Sequence, residues 1–410
     1  MDKLQQIVKK GARVFDPHGV VIGDEVDVDR IAGEGVVLYP GTRIQGSRTF
    51  IAPGARIGAE GPATLDNCHV GPRAALKGGF FSEAVFLADA SCGSGAHVRQ
   101  GTILEEGASV AHTVGLKQTI LFPFVTLGSL INFCDCLMAG GTSRKNHSEV
   151  GSSYIHFNYT PNQDKATASL LGDVPNGVML SRNPIFLGGQ GGLVGPCRIA
   201  YGTVIAAGSV YRKDQLKPDR LVIEGGGRGG SLPYSTGIYR NVKRQAVNNI
   251  IYLANLVALM AWYRHVRSRF IGERFPRELH QGLIDTLQLA IDERIKRFRE
   301  FCEKLKESGS LYAQQMGDSA SAALIHQKNE LYANRLRAVE MIQEYLGKMD
   351  HFKNEAFLSM LHGKMSAAGS AYTDVIKSLN SDESMQGTAW LQQVVDRVSG
   401  RMLDLFPAIR

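Results

Sequence analysis

The stretch FLADASCGSGAHVRQGTILEEGASVAHTVGL, residues 86–116, decides the fold. Apolar residues recur in it at Phe86, Cys92, Val98, Leu104, Val110 and Leu116, with glycine or another small residue close by in CGSGAH, VRQGTI and LEEGAS. The period is six, which fits neither an α-helix nor a long alternating strand. It matches a parallel β-solenoid in which each repeat is one short strand plus a turn and each side of the coil buries one stacked apolar position.

Working outward, the register appears earlier at Leu38 and Ile44, then at Ile51 and Ile57 after one inserted residue. It returns at Leu187, Leu193, Ile199, Ile205 and Tyr211, through LGGQGG, LVGPCR, IAYGTV and IAAGSV. A lead-in over 1–19 and a solenoid over 20–214 follow. Residues 215–240, which include KPDRLVIEGGGRGGSLPYSTG, read as a Gly/Pro-rich linker. Beyond it the period turns helical: Leu287, Ile291, Ile295, Phe298, Cys302 and Leu305 form a stripe at spacings of three and four. Further helices are expected near 245–270, 318–347, 352–379 and 386–405, so 241–410 is an all-α domain whose stripes are packing surfaces.

The 410 residues exceed what one core usually organises. An apolar content of 44% and a charged content of 21% exclude global disorder. The net charge of +7 is spread through the helical half, not gathered into a stripe, so no nucleic-acid partner is expected. Six cysteines without C-x-x-C spacing point to neither zinc nor a redox dithiol. The start MDKLQQIVKK lacks a signal-peptide core, and the apolar run from Ile250 to Trp262 is too short to span a bilayer, so a cytoplasmic protein off the membrane is expected.

Three segments carry a family resemblance. GARVFDPHGVVIGDEVDV resembles the stretch where the bacterial N-acetylglucosamine-1-phosphate uridylyltransferase/glucosamine-1-phosphate acetyltransferase family begins its solenoid half. VRQGTILEEGASVAHTVGLKQTIL (98–121) is similar to that family's R-P-G-A-x-L-x-x-G-x-x-V-G-N-F-V-E-x-K segment. FNYTPNQDKATASLLGDV (157–174) resembles its C-N-Y-D-G-x-x-K-x-x-T-x-I-G-D segment, and IAAGSVYRKD its terminal coil. The resemblance covers roughly 10–214 and none of the helical domain. It implies a left-handed parallel β-helix, a homotrimer with sites between subunits, acetyl-CoA or another acyl-CoA as co-substrate, and a sugar phosphate or nucleotide sugar as partner. No G-x-G-T-R-M loop occurs, so pyrophosphorylase activity is not expected.

Acyl transfer to an amino sugar needs a base for the ammonium proton and cations for the phosphate. The resemblance assigns Arg99 and Lys117 to phosphate binding; a guanidinium holds two oxygens and an ammonium adds a point charge. It also places Asn158 and Tyr159 at the sugar and acyl group, and Ala207 in the coil that receives the coenzyme arm. Without it, these are a surface charge pair, a turn asparagine and a half-buried tyrosine. The family's base lies in K-A-G-H-L-x-Y-L-G-D, which aligns with TLGSLINFCD (126–135); Ser129 stands at the histidine and Asn132 at the tyrosine. Serine is too weak a base to replace imidazole unaided. His147, in SRKNHSE, is the first candidate for a replacement base, with His156 beside it; His97 and His112 fall within repeats.

GGQGG at 188–192 sits inside the hexad register and serves corners, not a phosphate loop, and GGGRGG at 225–230 reads as linker. Two functions stay open: a hexapeptide-repeat acyltransferase of altered specificity, or a non-catalytic descendant that binds a sugar nucleotide or acts as a scaffold. A solenoid carbonic anhydrase would need zinc on three histidines, with His112 and His147 as ligands. The resemblance points elsewhere, and no metal is expected.

Overall fold

A computed structural model describes residues 2–224, 231, 234–368 and 371–410; the GGGRGG stretch lies outside the described residues. The N-terminal half is a β-solenoid of about eleven coils. One sheet of eleven strands, from Arg13–Val14 to Leu221–Val222, forms its first face. A sixteen-stranded sheet wraps the second and third faces, and the eight-residue strands Val114–Leu121 and Ile131–Met138 run unbroken round the corner between them. Strand Leu221–Val222 pairs in parallel with Val204–Ile205, so a further coil forms within the stretch read as linker.

The hexad positions are the interior. Phe86, Cys92, Val98, Leu104, Val110 and Leu116 are all buried, as are Leu187, Leu193, Ile199, Ile205 and Tyr211. Corners are turned by residues in the left-handed region, including Thr113 (φ 56°), Leu130 (φ 59°) and Ser153 (φ 61°) in one column and Gln118 (φ 54°) and Asp135 (φ 59°) in another. Inside the coil His156 sits between the Cys134 carbonyl (Nδ1, 2.6 Å) and the Ser169 hydroxyl (Nε2, 2.7 Å). Nδ1–H donates to the carbonyl and Nε2 accepts from the serine, which fixes a neutral tautomer. It is a structural histidine.

Eight α-helices occur among the described residues: α1 (Lys3–Lys9), α2 (Val174–Gly177), α3 (Val242–His265), α4 (Arg277–Met316), α5 (Ala322–Gly347), α6 (Glu355–Ala368), α7 (Tyr372–Lys377) and α8 (Ser381–Leu403). Helix α1 buries Leu4 and Ile7 at the start of the coil. The single helix expected over 352–379 is divided into α6 and α7, and the stripe from Leu287 to Leu305 belongs to the forty-residue α4. The helix containing Ile250–Trp262 runs from Val242 to His265, against the 245–270 expected. With the following turn it reaches Phe270, long and apolar enough by length and composition to cross a membrane, yet 89% of its most apolar window is buried inside the protein.

Helices α3 and α4 sit on the third face. There Val85, Ile103, Ile120, Leu137 and Leu170 point outward, between inward-facing Phe86, Leu104, Leu121, Met138 and Leu171, and are buried all the same. Helix α4 lies across the strands holding His69, Val85 and Ile103, and α3 across Ser169–Leu171. Burying each outward aliphatic side chain contributes about 1.5–3 kcal/mol. At Gly282 α4 touches the His69 ring, and a β-carbon there would lie 2.5 Å from it.

Burial pushes the pKa of both His69 and His156 down to about 4, Arg30 and Arg48 adding to the effect at His69. Between pH 6.5 and 4 the unfolded chain therefore binds more protons than the folded one, and stability falls as pH drops through this window. Urea denaturation at pH 7 and pH 5 should show a loss of about 2 kcal/mol per histidine, and His69→Asn should flatten the dependence.

Candidate functional site

Parallel pairing stacks one residue per coil, so a site on this scaffold is a column. On the second face, near its corner with the third, His97 pairs with Gly115, Gly115 with Asn132, and Lys117 with Cys134. Arg99 follows His97 by two residues and donates its backbone N–H to the Leu116 carbonyl. Three successive coils thus set Arg99, Lys117 and Asn132 on one outer surface. Arg99 and Asn132 are exposed and Lys117 is half-buried.

The loop after strand Ile155–Phe157 closes the cluster. Asn158 donates to the Asp135 carboxylate, and exposed Tyr159 lies beneath the ammonium of Lys165 at 5.9 Å. Helical-domain residues hold this loop. Buried Asp164 accepts from the Tyr239 hydroxyl at 2.9 Å and the Gln245 amide at 3.1 Å, and Lys304 donates to the carbonyls of Asn162 and Gln163 at 2.7 and 2.8 Å. Behind it, Arg294 of α4 meets Asp135 at 2.6 Å with both side chains almost fully buried.

Among the described residues, Arg99, Lys117 and Lys165 have no carboxylate at ion-pair distance. Burial lowers the pKa of Lys117, Lys165 and Arg99 add to the lowering, and Glu293 and Asp135 oppose it. Glu293 is itself engaged by Arg297 at 2.7 Å. The arrangement is a cationic patch whose three cations have no ion-pair partner among the described residues, which suits an anion. Cys134 lies within it, but burial pushes its thiol up to about 11, so it is no nucleophile at neutral pH.

The other sequence candidates lie elsewhere. Ser129 occupies the corner between the first and second faces, one coil after His112; its N–H donates to the Ser152 hydroxyl at 3.1 Å, and His112 contacts Thr113. Ala207 is exposed in the same corner column, three coils beyond Ser129, roughly 14 Å at the usual strand spacing. Its backbone crosses so close to Gly188 that a β-carbon there would lie 2.2 Å from the Ala207 nitrogen. His147 sits in an antiparallel hairpin, Gly141–Ser143 with Asn146–His147, at the third corner. Its Nε2 is 3.8 Å from Glu149, and its buried Nδ1 has no hydrogen-bond partner among the described residues. Within one chain the cationic patch, Ser129 and His147 occupy three different corners.

Reading the sequence for chemistry missed Asp135, Arg294, Asp164 and Lys165. Asp135 ends the aligned TLGSLINFCD segment, and Arg294 stands three residues after Ile291 and four before Phe298, a charge inside the apolar stripe. That misplaced charge was the available signal.

A β-solenoid carrying a cationic patch beside a loop clamped by its own helices is the class that fold and site define. Over about half its length the chain is similar to the bifunctional protein GlmU. It is 26% identical to that of Thermotoga petrophila over 215 residues (52% of this chain, 42% of the relative) and 26% to that of Thermotoga maritima over 218 residues (52% and 42%). To that of Micrococcus luteus it is 29% identical over 211 residues (52% and 37%). The chain spans about two fifths of the length of these relatives. No family model matches it.

Replacing Arg294 with Met leaves the Asp135 carboxylate buried without its cation. Such a break costs about 3–5 kcal/mol, read as a lower urea midpoint. Arg294→Met with Asp135→Asn should recover much of the loss, because asparagine tolerates the left-handed corner.

Proposed function

We propose that the chain is a transferase-like protein of sugar-nucleotide metabolism that binds a sugar phosphate or nucleotide sugar on the patch of Arg99, Lys117 and Lys165, and takes an acyl group from acetyl-CoA or another acyl-CoA. The observation that carries this reading is the unpaired charge: three cations lie beside Asn132, Asn158 and Tyr159 with no carboxylate at ion-pair distance among the described residues. A phosphate would satisfy the guanidinium through two oxygens and the ammonium through charge, while amide and hydroxyl groups address the sugar. The likeness to GlmU supports the same ligand class, and within GlmU the reading takes the acetyltransferase half as the match.

Turnover on this reading needs a second copy. Ser129 and Ala207 share one corner, the patch another and His147 the third, so groups from different corners meet only where two solenoids lie side by side. A cyclic trimer would do this, with the second face turned to the neighbour and the third face occupied by helices. His147 from an adjoining copy is the proposed base.

A second reading rests on Ser129: it holds the position of the family's histidine, and no base is hydrogen-bonded to its hydroxyl among the described residues. Here the chain binds the sugar nucleotide without turning it over.

Calorimetric titration with glucosamine-1-phosphate, UDP-N-acetylglucosamine and acetyl-CoA separates the two. The transferase reading expects sugar-phosphate binding weakened about tenfold or more by Arg99→Ala or Lys117→Ala, together with acetyl-CoA binding that both variants retain. Absence of acetyl-CoA binding overturns the acyl transfer and leaves the binder. Absence of sugar-phosphate binding overturns both.

A further inference from the structure

Along the corner between the third and first faces, away from the Arg99 patch, solenoid and helices enclose a cleft of about 620 Å³. The size suits a small molecule, and domain junctions are where such sites concentrate. One wall is the solenoid corner, from Arg73 and Asp89 through Glu106 and Phe124 to Arg144 of the hairpin; the other is helical-domain residues Phe270, Arg274, Phe275 and Tyr372.

The charges along the cleft do not cancel. Arg73 is held by Asp89 through two bonds of 2.8 and 2.6 Å, and Glu106 by Arg267, which is completely buried. Arg274 has no ion-pair partner among the described residues, and Arg144 donates only to the Gly107 carbonyl and the Ser109 hydroxyl, at 2.5 and 3.1 Å. Two exposed guanidiniums therefore stand uncompensated at the mouth. Deeper in, Glu106 Oε2 is buried without a hydrogen-bond donor, and Arg267, stacked on Tyr372 at 3.8 Å and on Phe275 at 4.7 Å, leaves Nε and Nη1 without acceptors. Between them lie half-buried Phe124 and the edges of Phe270, Phe275 and Tyr372, which are themselves buried.

We propose that this cleft is a second ligand site, for a nucleoside diphosphate: phosphates on Arg144 and Arg274, the flat base against half-buried Phe124 and the edges of the buried aromatic rings, and a ligand hydroxyl or amine donating to Glu106 Oε2. Guanidiniums match phosphate oxygens two at a time, and an unsatisfied buried carboxylate oxygen favours a ligand that carries donors. A bare inorganic anion would answer the first feature only. The assignment does not depend on the function proposed for the Arg99 patch.

The test uses the full chain carrying Arg99→Ala and Lys117→Ala, so that the other site cannot contribute, titrated calorimetrically with ADP, UDP and inorganic pyrophosphate. One equivalent of ADP or UDP should bind, and Arg144→Glu with Arg274→Glu should weaken it about tenfold or more. Both arginines are exposed, and an unchanged melting temperature shows that the variant is folded. Pyrophosphate should bind more weakly than either nucleotide. The proposal is overturned if neither nucleotide binds, if binding survives reversal of both charges, or if pyrophosphate binds as tightly as ADP, since the aromatic rings would then take no part.

Discussion

A β-solenoid with water on all sides needs only one apolar residue per hexad, pointing inward, and this chain supplies apolar residues on both sides of its third face. Val85, Ile103, Ile120, Leu137 and Leu170 form an outward ladder over five coils, and water there would be as unfavourable as water in the core. Helices α3 and α4 cover the ladder. Much else in the molecule follows from that cover: which loops the helical domain reaches, which corners stay open, and which faces remain for another molecule.

Apolar contact gives adhesion without register, because a greasy ladder tolerates sliding by a coil. Register comes from polar groups buried in the same interface. Arg294 reaches Asp135, Arg267 reaches Glu106, Tyr239 and Gln245 reach Asp164, and Asn255 of α3 accepts from the Val174 N–H at 2.9 Å. Each pair loses hydration on burial and adds little net stability, yet displacement by one coil would leave several charges unpaired. The fit of Gly282 on the ring of His69 acts likewise through shape. Docking is therefore fixed to one position, and with it the Asn158–Lys165 loop, since Asp135 and Asp164 belong to both the interface and the loop's support.

Hexad spacing made the solenoid legible, because one buried position per strand leaves a period that no other element shares. The helical half was legible in type from the stripe through Ile291 and Phe298, while α6 and α7 read as one helix because their apolar residues stay roughly in phase across the break. The covered face was also written in the sequence. AVF at 84–86, TIL at 102–104 and again at 119–121, and SLL at 169–171 lack the polar outward residue of a one-sided strand, the mark of a sheet buried on both faces. Of the site, the placing of Arg99 and Lys117 in one column and of Asn132 in the next follows from repeat length, since a coil of seventeen or eighteen residues brings Lys117 over Arg99 and Asn132 over Gly115. Arg294 and Lys165 act from far along the chain, and their approach depends on a docking that no local pattern encodes.

Binding and turnover separate naturally in such an architecture. Column stacking concentrates like residues at one corner, so a cationic patch needs only neighbouring coils of one chain and survives any change of assembly. Acid–base chemistry needs a group on a different trajectory, and here Ser129 and His147 project from the two other corners. The helical domain sharpens the separation: it covers the third face while holding the Asn158–Lys165 loop from within the chain. The patch is thereby preorganised within one chain, and on the transferase reading proposed above the base comes across the second face, where Phe80, Ile155 and Phe157 are exposed.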